Sequence, residues 1–143
     1  MNNPLYAAVL MALQWYGETP IAGPQANENI LAMLAATSYP KGTSDEVPWC
    51  SAFLIWIFEK CGIATNATAA AQSWQAWGAS VIDPALGDIV VLGWNDMQGV
   101  HRHVGLFIRE VEHGIYILAG NQDNTVDIAL WKKKDVLAYR TVA

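Results

Sequence analysis

The sequence predicts an α+β fold in which N-terminal helices pack on a C-terminal antiparallel sheet of about five strands. Apolar residues recur at helical spacing through the first half and then change period after Gly78. From Ile89 onward the apolar runs are short, rich in β-branched and aromatic residues, and separated by Gly, Asn or Asp. Links as short as Glu112-His113-Gly114 suit hairpins rather than the long crossovers of a parallel sheet. The helical part is expected over 1–78 and the β part over 81–143, as one domain spanning 1–143. A chain of that length buries a sizeable core without disulfides or metal.

Leu5, Val9 and Leu13, with Ala8 and Ala12 between them, predict a first helix that Gly17 and Pro20 end. Asn27 can cap a second helix from Glu28 to Ala36, with Ile30, Leu31 and Leu34 on its apolar face. The turn formers of TSYPKGTSDE then make a surface loop leading to VPWC. From Pro48 to Lys60 the chain is apolar nearly all round, which predicts a buried helix stopped by Gly62. A further helix is expected from Ala69 to Trp77. After the turn DPALGD, the runs IVVLGW, HVGLFIRE, GIYILAG, TVDIAL and VLAYR read as successive strands of a meander.

With 53% hydrophobic and 15% charged residues and seven Trp, the composition is that of a packed globular protein. A formal charge of -5 offers no basic field for nucleic acid or anionic lipid, and the short run Lys132 to Lys134 reads as a solvated face beside Asp135. The N-terminal apolar stretch is broken by Gln14 and Gly17, and no basic residue precedes it. Neither a secretory signal nor a membrane span is expected, so the protein is predicted to accumulate in the cytoplasm that makes it, with no stable membrane insertion and as a monomer. Cys50 and Cys61 are expected as thiols, since eleven residues of continuous helix would hold them roughly 16 Å apart.

Cys50 opens the buried helix, where the helix amides and dipole favour thiolate over thiol. Cys61 sits at the opposite end, where the dipole works against a thiolate, and reads as structural. A thiolate nucleophile needs an imidazole to set its charge state and protonate a leaving amine. His103 opens a strand whose alternation groups it with Gly105 and Phe107, opposite Val104, Leu106 and Ile108, and Gly105 leaves space beside the ring. His113 falls in a hairpin turn and reads as solvated. His101 falls in the loop before the strand and is a candidate for the site mouth. The pair His101 and His103 spells H-x-H, but no other ligands stand at metal-binding spacing, so no metal or other cofactor is expected.

A third polar group usually accepts the second imidazole N–H. GIYILAG runs antiparallel to the histidine strand and delivers Asn121, Gln122 and Asp123 beside its start. Asn121 is the first choice, and Gln122 is the alternative, because a one-residue change of register exchanges the two. Trp49, Trp74, Trp77 and Trp94 are candidates for a groove lining, with Trp49, Trp94 and His101 the chosen substrate contacts and core packing expected of at least two of the tryptophans.

PWCSAF at a helix start, an SWxxWG segment, a GDIVV strand, HVG opening the next strand and GNQ ending the third resemble, in order and spacing, the small cell-wall hydrolases of the CHAP and NlpC type. The resemblance covers roughly Trp49 to Arg140 and implies a papain-like single catalytic domain. It further implies that Cys50 attacks an amide or peptide carbonyl of bacterial peptidoglycan, that His103 shuttles the proton, and that the third position falls on Asn121. A thioester acyl-enzyme and an oxyanion site at the Cys50 backbone N–H would follow. Papain-like enzymes commonly carry a Gln upstream as second oxyanion donor, whereas the loop here offers Ser44, Asp45, Glu46 and Trp49, so that donor is unassigned. A phage endolysin, a secreted interbacterial amidase effector, or a wall-binding or virion module that has lost the reaction all fit this pattern. An active form would work on the wall in the periplasm or outside the cell.

Overall fold

The computed structural model describes residues 3–17, 49–68, 70–97, 99–122 and 125–143. The expected second helix, the loop after it and Pro48 lie outside the described residues. The chain forms helix α1 (Pro4–Leu13), helix α2 (Cys50–Lys60) and strands β1 (Ala79–Ser80), β2 (Ile89–Asp96), β3 (Gly99–Val111), β4 (Gly114–Gln122), β5 (Thr125–Trp131) and β6 (Val136–Thr141). The strands make one antiparallel six-stranded sheet in the order β1-β6-β2-β3-β4-β5, so the class is α+β.

α1 starts where Asn3 accepts the Leu5 N–H at 2.9 Å and Pro4 supplies a pre-set first turn. It buries Leu5, Ala8, Val9 and Ala12, but Leu13 is 40% exposed, because it falls at the edge of the stripe those four residues form. Gly17, at φ 88, then donates its N–H to the Val126 carbonyl at 2.8 Å and ties the segment to β5.

α2 is the centre of the core. Phe53, Leu54, Ile57 and Phe58 are fully buried, each stabilising the fold by about 1.5–3 kcal/mol. The helix ends in a Schellman motif in which Gly62, at φ 71, donates to the Glu59 carbonyl and Ile63 donates to that of Phe58. Its start is anchored from behind: the Trp74 indole N–H donates to Ser51 Oγ at 2.8 Å, and Ser51 Oγ–H donates to the Thr68 carbonyl.

Around that anchor the expected helix over Ala69 to Trp77 is instead a 3-10 helix over Ala71–Ala76. Ser73 explains the difference, because its hydroxyl donates to the Ala70 carbonyl at 2.6 Å and accepts the Thr68 N–H at 2.9 Å, competing with an α-helical ladder. Trp74 and Trp77 pack with Phe58 in the core, and Trp77 also borders a cleft with Ile63, Thr65 and Val142.

The sheet is buried on both faces. Ile89, Val91, Val104, Leu106, Leu118 and Val126 meet the helices. Val90, Leu92, Phe107, Ile117 and Ala119 turn the other way, beneath Trp94, Trp131, Val136 and Tyr139. The last strand corrects the expected meander: β6 pairs with β2 rather than β5. Curling of the sheet makes this possible. Trp131 on β5 comes to 5.3 Å from Trp94 on β2 although two strands lie between them, so a short 3-10 turn at Lys133–Asp135 reaches the free edge of β2. β1, unexpected from the sequence, is a two-residue strip added outside β6.

Gly120 lets β4 approach the start of α2, since a Cβ there would lie 2.6 Å from the Trp49 ring and 2.8 Å from Phe53 Cβ. Gly120→Ala is therefore expected to destabilise the fold by about 1–3 kcal/mol, read as a lower urea midpoint; an unchanged midpoint would mean that Trp49 has room to move.

Candidate active site

The site is built where the start of α2 meets β3 and the end of β4. Cys50 is the first residue of α2, after Trp49, and is 5% exposed. The thiol is free, as is that of Cys61, which caps the far end of the helix. Burial raises the pKa of Cys50, while the backbone N–H groups of Val104, Ser51 and Cys50 itself pull the other way. The helix-start amides thus act on the sulfur as expected, but the expectation of a favoured thiolate is corrected: desolvation is the larger effect.

His103 lies on β3 and is also 5% exposed. Its Nε2–H donates to Gln122 Oε1 at 3.2 Å. A carboxamide oxygen only accepts, so this bond fixes the proton on Nε2 and leaves Nδ1 with its lone pair. The orientation of Gln122 is itself determined, because its Nε2 donates to the Ile117 carbonyl at 3.0 Å and the Asp127 carbonyl at 2.7 Å. The Trp131 indole N–H donates to the same Oε1 at 2.6 Å, and the Trp131 ring stacks on His103 with centroids 4.9 Å apart. Burial pushes the His103 pKa down to about 4, partly opposed by the Gln122 hydrogen bond. At neutral pH the resting groups are therefore a thiol and a neutral imidazole.

Cys50 and His103 meet the same stretch of β3: the Val104 N–H acts on Cys50 Sγ, and His103 is the preceding residue. Among the described residues no hydrogen bond joins thiol and imidazole. Catalytic hydrogen bonds are often absent or long without substrate and tighten in the complex.

Gln122, the alternative third member, meets the histidine. Ala119 shares the His103 face of the sheet, and strict alternation would return Asn121 to it. A shift in the β4–β5 register between Ala119 and Gln122 moves the phase by one residue and turns Gln122 there. The Asn121 side chain and Asp123 lie outside the described residues.

The expected substrate contacts divide. Trp49 is 1% exposed and packs on Phe53 and Gly120, which leaves it no face for a ligand. Trp94 and His101 are half-buried, paired across β2 and β3 and stacked at 5.2 Å. His101 belongs to β3 rather than to a loop, and its Nε2 bonds Asp96 Oδ1 at 2.8 Å. Together with Trp131 they form a continuous aromatic row, His101–Trp94–Trp131–His103. Sequence reasoning missed Trp131; its only signal was an aromatic residue ending a strand. His113 is exposed in its turn near Glu112. Among the described residues no three His, Cys, Asp or Glu side chains gather as metal ligands, and no helix is long and apolar enough to cross a membrane.

A buried helix that opens with a cysteine, packed on one antiparallel sheet that carries a histidine, defines a small α+β protein. The CHAP domain model matches residues 42–121, more than half of the chain, and the protein belongs to that family. Members of this family are typically cysteine peptidases or amidases that act on peptidoglycan. No curated protein matches the chain.

The pKa of His103 gives a pH-dependent stability. The unfolded chain binds a proton near pH 6.5 and the folded one only near pH 4, so this contribution is complete above 6.5 and is lost as pH falls toward 4. Urea titrations across that window should show the wild type losing about 3 kcal/mol more than His103→Gln, and parallel losses would refute the assignment.

Proposed function

We propose that this protein is an endolysin-like peptidoglycan hydrolase of papain-like architecture that cleaves an amide or peptide bond by a Cys–His mechanism. One observation carries the reading most directly. The buried Gln122 holds His103 in the tautomer whose Nδ1 is free, on the residue next to the amide that meets the Cys50 sulfur.

In this mechanism Cys50 Sγ attacks the carbonyl carbon as its proton passes to His103 Nδ1. Starting from a neutral pair, transfer and attack are coupled, and the Gln122 oxygen stabilises the imidazolium that forms. The Cys50 backbone N–H, at a helix start, is placed to donate to the oxyanion. When the C–N bond breaks, the amine leaves with the proton from Nδ1 and a thioester remains. Water then gives a proton to Nδ1 and attacks the thioester, and the sulfur recovers that proton as the acid departs. The protein would act in the periplasm or outside the cell, as a phage lysis enzyme or an interbacterial effector.

A second reading, a wall-binding module without the reaction, draws on one observation: burial disfavours the ionised forms of both Cys50 and His103. Release of new amino groups from purified peptidoglycan separates the two, with fragment masses naming the bond. Wild type is expected to release amines and a folded Cys50→Ala variant to release none; an inert wild type on several wall types would favour the binding module. Gln122→Ala should lower kcat roughly tenfold or more, whereas Asn121→Ala stays within about threefold of wild type. The reverse order would return the third position to Asn121.

A further inference from the structure

Trp131 lies at the end of β5, opposite Ile115 of β4 and outside the segment matched by the family model. Two independent contacts join it to the site. Its Nε1–H donates to Gln122 Oε1 at 2.6 Å, and its ring lies against the His103 imidazole at 4.9 Å with an interplanar angle of 24°. Its other neighbour is Trp94, at 5.3 Å, which backs the indole from β2.

We propose that Trp131 is a positioning residue for His103, its indole N–H and ring face together holding the Gln122 carboxamide and the imidazole in the orientation that keeps Nδ1 free for the thiol. The inference rests on the hydrolase reading for its catalytic consequence, but the geometry it invokes stands apart from the reaction.

The chemistry of Gln122 supports it. Oε1 has two lone-pair directions, and Trp131 Nε1–H and His103 Nε2–H both use that oxygen. Both N–H bonds of the Gln122 amide go to backbone carbonyls, of Ile117 and Asp127. Trp131 therefore supplies a donor that only the oxygen end of the carboxamide can accept, and so reinforces the rotamer that presents an acceptor to His103. The stacked ring limits rotation of the imidazole and covers one side of the His103–Gln122 bond. Removing the ring admits water beside Nε2, which offers that nitrogen a second partner and weakens the preference for one tautomer. A tryptophan serving only as packing would have no such effect on the proton position.

The test uses Trp131→Phe, which keeps an aromatic face and removes the donor, and Trp131→Ala, which removes both. Nitrogen-15 spectra of His103 at neutral pH read the tautomer directly, and kinetics on a soluble peptidoglycan fragment cut by the wild type separate kcat from KM. Trp131→Phe is expected to lower kcat roughly tenfold with KM within about twofold, and Trp131→Ala to lower it roughly a hundredfold. His103 in the alanine variant should show mixed tautomers in place of the Nε2–H form. Folded variants with kcat within about twofold of wild type and an unmixed Nε2–H tautomer would overturn the inference. If Trp131→Ala does not fold, the kcat of Trp131→Phe decides. If wild type and Cys50→Ala are equally inert on peptidoglycan, the hydrolase reading fails while the tautomer in the alanine variant still judges Trp131: mixed supports it, unmixed refutes it.

Discussion

The Gln122 carboxamide makes four hydrogen bonds, and the arrangement of the site depends on them. Its N–H groups close on the carbonyls of Ile117 and Asp127, within β4 and across to β5. Its oxygen accepts from His103 on β3 and Trp131 on β5. One side chain thus ties together three strands, at the point where a register shift breaks the regular ladder. A buried amide left with unmet donors or acceptors would cost on the order of 1–3 kcal/mol for each, so the network holds its geometry cooperatively. The imidazole takes its tautomer from that geometry.

The other half of the site depends on the core. α2 is buried along nearly its whole length because Phe53, Leu54, Ile57 and Phe58 project into a shell made by α1, the sheet and the Trp74–Trp77 pair. This rigid packing, with Ser51 bonded to Trp74 behind the first turn, directs Cys50 at the Val104 amide. The same packing removes water from the sulfur. Helix-start amides favour the anion and burial disfavours it, and burial is the larger influence on both reactive groups. A neutral resting pair is the physical result, and it places charge separation in the reaction itself, where the Gln122 oxygen and helix amides are already oriented to receive it.

Curling of the sheet accounts for much of what surrounds the histidine. It brings β5 toward β2, so the aromatic row from His101 to His103 joins Trp131 of β5 to residues of β2 and β3. It also opens a route for the last strand back to β2. Trp49, by contrast, is drawn into the core by the close approach of β4 at Gly120, although it adjoins the cysteine in sequence.

Local chemistry by itself determined the α+β order, the buried helix opening at Cys50 and closing at Gly62, the strand carrying His103 with Gly105 on the same face, and the antiparallel return that brings GNQ beside it. Those features depend on periodicity, on glycine at φ 71 and on hairpin length, all of which are readable over a few residues. Only the tertiary structure brought Gln122 to His103, because a shift of one residue in the β4–β5 pairing reverses a face and depends on the neighbouring strand rather than on the local run. The same holds for Trp131, whose partners Gln122 and His103 lie nine and twenty-eight positions away, and for the charge states of Cys50 and His103. Burial is a property of everything packed around a group, and no local segment contains it.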